Sequence, residues 1–172
     1  MLAGASIVPS RAQEPHRSFD GGVASMFTRW EVDHVKDDGT GRDVCIMIAG
    51  WPGRPVRFSL RKDVTRNYFT VRILDPGVSF TAGAARPVTV AFDGDLATHS
   101  WSGQASGVGT VFDLPLPGGA ALSRFETQLL ATDLVTVVVG SHVWTQSIGD
   151  TARAYGLFRD CLASVTAGDR RW

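Results

Sequence analysis

From Arg29 to Val139 the chain repeatedly alternates apolar and polar residues with a period of two, in short runs closed by Gly, Pro or Asp. No other feature narrows its possible folds as much, because successive strand side chains point to opposite faces, one toward a core and one toward water. Arg29 to Val35 sets Trp30, Val32 and His34 against Arg29, Glu31 and Asp33. Lys36 to Asp43 is a turn rich in Asp and Gly, and Val44 to Ala49 returns as a more continuously apolar strand, broken by Trp51-Pro52-Gly53. Val56, Phe58 and Leu60 face one way with Arg57, Ser59 and Arg61 opposite; Tyr68 to Leu74 places Phe69, Val71 and Ile73 inward before the Asp75-Pro76-Gly77 turn. Val88 to Phe92 is a further strand, and weaker ones are expected around Thr98–Gln104 and Thr110–Leu114.

The period changes to 3.6 in two places. Leu122, Phe125, Leu129 and Leu130 share a face of a short helix near 120–131. Ala154, Leu157, Phe158, Cys161, Leu162 and Val165 make the stripe of a C-terminal helix near 150–165, with Asp150 as its expected cap. Between them, Leu134 to Val139 is the strongest β signal in the chain, and His142 to Ile148 pairs with it through Gly140-Ser141. About eight short strands, late helices and no βαβ rhythm predict a mostly β fold of β-sandwich-like antiparallel sheets, with the last helix over one end or edge.

At 172 residues, 44% hydrophobic and 20% charged, the chain holds the core of one domain. We read residues 1–12 as the remnant of a signal peptide, 13–25 as a flexible leader, 26–167 as one β-rich domain and 168–172 as a tail. Ser10 and Ala12 are small residues at the −3 and −1 positions that a signal peptidase requires. Seventeen basic against seventeen acidic residues give a net charge of zero, which argues against a nucleic-acid binder, and no apolar stretch reaches the ~20 residues of a membrane-spanning helix. The two cysteines, Cys45 in a strand and Cys161 in the last helix, predict one disulfide in an exported chain, periplasmic or secreted.

Catalytic and metal motifs are weak. Cys45 lies in an apolar strand that disfavours a thiolate, and no Gly-x-Ser-x-Gly elbow occurs. The enzymatic alternative is a small hydrolase using His99 or His142 with Asp93 or Asp95. No histidines are spaced for zinc; Asp37, Asp38 and Asp43, and the Asp93-Gly94-Asp95 turn, read as turn chemistry rather than calcium ligands, so no metal and no cofactor are expected. Charge is instead uneven along the chain. From Arg54 to Arg72 six cations face the single acid Asp63, a net +5 in nineteen residues. If the two strands there pair, Arg57, Arg61 and Arg72 with Tyr68 form a basic face suited to an anionic glycan, a lipid headgroup or an acidic envelope protein. Trp51 and Trp101, next to turns, are expected near the surface, and Trp51 joins this candidate site.

The start ending Arg11-Ala12-Gln13-Glu14, the strand Trp30-Glu31-Val32 and the cysteine strand Val44-Cys45-Ile46-Met47 together resemble the invasion-associated locus B type proteins of the proteobacterial periplasm. The similarity covers the first third of the chain. It implies an exported, non-enzymatic β-sandwich in a Gram-negative envelope and carries over no functional residue. Members of that family carry a further mid-chain cysteine, whereas the second cysteine here is Cys161. The expectation is therefore a binding or accessory protein, with a structural subunit of an envelope complex as the alternative.

Overall fold

In the computed structural model, which describes residues 16–21, 28–37, 39–66, 69–93, 100–116 and 118–168, ten strands hydrogen-bond edge to edge in one antiparallel sheet. They are β1 (His16–Gly21), β2 (Thr28–Lys36), β3 (Asp43–Trp51), β4 (Arg54–Asp63), β5 (Phe69–Leu74), β6 (Ala85–Phe92), β7 (Ser100–Val108), β8 (Val111–Leu116), β9 (Leu134–Val139) and β10 (His142–Ser147). Two helices follow the strand-rich front, α1 (Ala120–Leu130) and α2 (Thr151–Thr166). The spatial order is β1-β2-β3-β4-β5-β8-β7-β6-β9-β10. A meander runs to β5; β6, β7 and β8 then fold back so that β8 lies beside β5, a Greek-key connection.

The strands form where the alternation is, and their inner faces supply the core. Trp30 and Val32 of β2, Cys45, Met47 and Ala49 of β3, Phe58 and Leu60 of β4, Val71 and Ile73 of β5, and Phe112 and Leu114 of β8 are all buried in one cluster. The sheet curls until its far strands meet. The Trp30 indole donates to the Gly149 carbonyl at 2.7 Å, and the Trp51 indole donates to Ser147 at 2.6 Å. Trp51 also packs edge-on against Trp144 of β10, with ring centroids 6.0 Å apart. The expected sandwich-like layers are thus two facing parts of a single curled sheet.

Both ends of the core are covered. At one, α2 lays Phe158 against Phe69, and the Cys45–Cys161 disulfide ties the helix to β3 with 6.1 Å between the Cα atoms. Alongside, Phe125 of α1 packs on Phe92 and Trp101, and the Tyr155 hydroxyl of α2 donates to the Glu126 carboxylate of α1. At the other end the β5–β6 connection tucks in Val78 and Phe80, with Phe80 stacked on Phe112 at 4.6 Å between centroids.

Several expectations are corrected. Residues 16–21, read as part of a flexible leader, pair with β2 as an edge strand; backbone hydrogen bonds to an existing strand need no apolar alternation. Trp51 does not break β3 but ends it, continuing the inner face of Cys45, Met47 and Ala49. Asp150 precedes α2 in a left-handed conformation and makes no side-chain cap; its carbonyl accepts the Arg153 and Ala154 amides. Leu130 is exposed rather than part of the buried face of α1.

Candidate functional site

The expected β4–β5 hairpin exists, with Ser59 opposite Arg72 and Arg61 opposite Thr70. Since Phe58 and Leu60 face the core, Arg57, Ser59 and Arg61 of β4 and Thr70 and Arg72 of β5 belong to the outer face. Pairing extends that face to Ile46, Ile48 and Gly50 of β3 on one side and to Asp113 of β8 on the other. Sequence alternation therefore puts the three arginines on one surface, but the structure gives each a different environment.

Arg57 lies down across Gly50. A Cβ at Gly50 would sit 3.0 Å from the Arg57 Nε, so the missing side chain makes the space that the guanidinium occupies. From there Nη1 donates to the carbonyls of Arg54 and Val56 at 2.8 and 2.9 Å. This holds the group at the edge of a cleft of about 530 Å³, which Arg29, Arg54, Pro52 and Pro55 also line. Arg29 is 3.6 Å from Glu31, the one acid of the cleft lining, while Arg54 and Arg57 carry no ion pair among the described residues.

Arg72 is instead a structural cation. Its Nε and Nη2 donate to the two carboxylate oxygens of Asp113, each at 2.6 Å, across the β5–β8 register. That double hydrogen bond, before anything else, raises the Arg72 pKa above the ordinary arginine value. Arg61 lies in a second hollow of about 160 Å³, with Arg42, Arg66, Arg72, Asp37, Asp63 and Asp113 around it. Its side chain is only 13% exposed, and its Nη2 reaches Asp37 no closer than 3.9 Å. Burial first, and the neighbouring Arg72 second, lower its pKa, against the pull of Asp113 and Asp37.

Of the other expected site residues, Tyr68 lies outside the described residues, so the arginine face is described without it. Trp51 is a core residue and not an exposed ring, 5% exposed with its indole N–H used on Ser147, yet it contributes to the lining of the Arg57 cleft. Trp101 is half-buried beneath α1, where it donates to Gln128 and carries Arg124 over its ring. Adjacent turns in the sequence suggest that both are exposed; curling of the sheet and docking of α1 cover them.

The hydrolase pairing changes as well. His99 and Asp95 lie outside the described residues. Asp93 accepts from the Thr132 hydroxyl and the Asp133 amide at the start of β9, whereas His142 pairs with Val139 at its far end, about 17 Å away at the strand rise per residue. His142 instead lies 2.9 Å from Asp75, a carboxylate 2% exposed, off the line of a hydrogen bond. Its ring rests on Gly77, where a Cβ would come within 2.3 Å of Cε1. The signal for Asp75 was the Asp-Pro-Gly turn, which explains an aspartate there without any partner.

The acidic β2–β3 turn is made by its own hydrogen bonds: Asp37 Oδ1 accepts the Gly39 and Thr40 amides and the Thr40 hydroxyl. Among the described residues no helix is long and apolar enough to cross a membrane. Arg29, Arg54 and Asp113 are surface residues that the sequence pattern does not assign to the candidate site. Arg29 alternates outward on its strand, but nothing local shows that β2 brings it beside the β3–β4 turn. Comparison of the chain with protein-family models, with curated proteins and with solved structures finds no match.

Proposed function

We propose that this chain is an exported, non-catalytic binding or accessory protein of the bacterial envelope that engages an anionic partner through its basic sheet face, at the β3–β4 turn where β2, β3 and β4 meet. The observation that carries this reading is the cleft at the β3–β4 turn, where Arg29, Arg54 and Arg57 surround a hollow of about 530 Å³ against one acid, Glu31. Its volume falls within the ~300–1,000 Å³ of small-molecule sites. Arg57 is held in place before any ligand arrives, so little side-chain entropy remains to be lost on binding. The Cys45–Cys161 disulfide is in keeping with an oxidising compartment.

Arg72 is the wrong place to test the face, because its removal orphans Asp113. The informative variant is Arg54→Glu with Arg57→Glu, tested for retention on an envelope extract and on anionic vesicles. The control is Arg153→Glu with Arg159→Glu on exposed positions of α2, which changes net charge equally. Retention falls at least tenfold in the first variant and stays within twofold in the second. Equal retention by both removes the reading.

A further inference from the structure

Arg61 presents a problem that the protein's own groups leave unsolved. Its Nε is sealed from solvent and has no hydrogen-bond acceptor. A guanidinium largely taken out of water needs its donors satisfied and its charge answered. The Nε is closed to any ligand, and the Nη groups, which also make no hydrogen bond among the described residues, are the donors a ligand in the hollow would meet. Three carboxylates line the hollow; two are committed elsewhere, and the third, Asp37, faces Arg61 only as a loose ion pair at 3.9 Å. Asp113 gives both oxygens to Arg72. Asp63 accepts from Arg42 with one oxygen and from the Thr65 amide and hydroxyl with the other. Asp37 spends Oδ1 on its own turn and leaves Oδ2 beyond hydrogen-bond reach of Arg61.

Among the described lining residues the four cations Arg42, Arg61, Arg66 and Arg72 exceed the three acids by one charge. Thr70, directly opposite Arg61 in the β4–β5 register, also lines the hollow and brings a hydroxyl donor. The volume of about 160 Å³ exceeds what one water needs, ~30 Å³, and leaves room for a small polyatomic anion.

We propose that the hollow between the β2–β3 turn and strands β4, β5 and β8 binds one small oxyanion on Arg61, with Thr70 as a further donor. This rests on reading the face as an anion-binding surface, and it adds a second site, distinct from the Arg57 cleft. The shared chemistry is that of phosphate, sulfate or the carboxylate of a larger ligand.

The test is thermal unfolding of the purified chain in sodium phosphate, sulfate or acetate, with chloride at matched ionic strength as reference. An anion present at 100 times its Kd raises the Tm by about 5–10 °C for a domain of this size. A response to phosphate and sulfate alone supports a free tetrahedral ion; a response that includes acetate supports the carboxylate of a larger ligand. Arg61→Leu abolishes either response. No shift beyond chloride, or an equal shift in Arg61→Leu, overturns the proposal. Should Arg61→Leu fail to fold, Asp37→Asn keeps the turn's acceptor oxygen and removes the competing charge 3.9 Å away. It lowers the phosphate midpoint at least threefold, and an unchanged or higher midpoint also overturns the proposal. The two sites fail separately: Arg54→Glu with Arg57→Glu loses partner retention yet keeps the phosphate response.

Discussion

Removing the disulfide is the sharpest perturbation of the fold. Cys45 and Cys161 are both fully buried and close a loop with a sequence separation of 116. On the chain-entropy model, a cross-link of that span removes roughly 16 cal/mol/K from the unfolded ensemble, or about 4.8 kcal/mol at 25 °C. For a domain of this length each kcal/mol moves the Tm by about 2–4 °C, so the bridge accounts for about 10–20 °C. Cys45→Ala with Cys161→Ala is compared with the oxidised chain by calorimetry. Reduced wild type separates the cross-link from the packing of the sulfur atoms. Because the bridge lies beneath α2, the helix is the first element to gain protease sensitivity in the reduced chain. A Tm within about 3 °C of the oxidised protein would refute the argument, since it would mean that sheet and helix packing alone hold these residues together.

Two further outcomes follow from the same geometry. The hydrogen bond from Lys36 holds the Asp43 carboxyl below its ordinary pKa, and that from the Thr40 hydroxyl does the same for Asp37. A depressed folded value means that the stability they add is whole above the ordinary aspartate pKa of ~3.9 and is lost as pH falls through the folded value. The Tm gap between wild type and Asp43→Asn should therefore close between about pH 4 and pH 2; a gap constant over that range contradicts the assignment. Gly107→Ala forces a Cβ to 2.2 Å from the Val111 carbonyl oxygen and 2.7 Å from the Phe112 Cα, both backbone atoms of the facing strand. It should cost about 2–3 kcal/mol, read as a lower urea midpoint at unchanged slope; a loss below about 0.5 kcal/mol would show that the β7–β8 hairpin relaxes freely.

The fold was legible wherever one face of an element is apolar. Periodicity located β2 to β10 and both helices, and it placed Arg57, Arg61 and Arg72 outward, because strand alternation is a local property of the chain. It did not locate β1, whose pairing to β2 requires no pattern of its own. The site was legible as a charge bias and no further. The arginines differ through their neighbours: Gly50 under Arg57, Asp113 beside Arg72 and a small open hollow around Arg61.

What the sequence by itself determined is a single disulfide-capable β domain with a cationic stretch on its outer face, since alternation, turn residues and net charge are properties of neighbours in the chain. What only the tertiary structure decided is which residues meet. One continuous sheet curls so that Trp51 reaches Ser147, β5 lies beside β8 so that Asp113 takes Arg72, and the β5–β6 connection carries Asp75 to His142. The physical reason is that strand order and closure depend on contacts between segments far apart in the chain, and period-two patterning is the same whichever strand lies alongside.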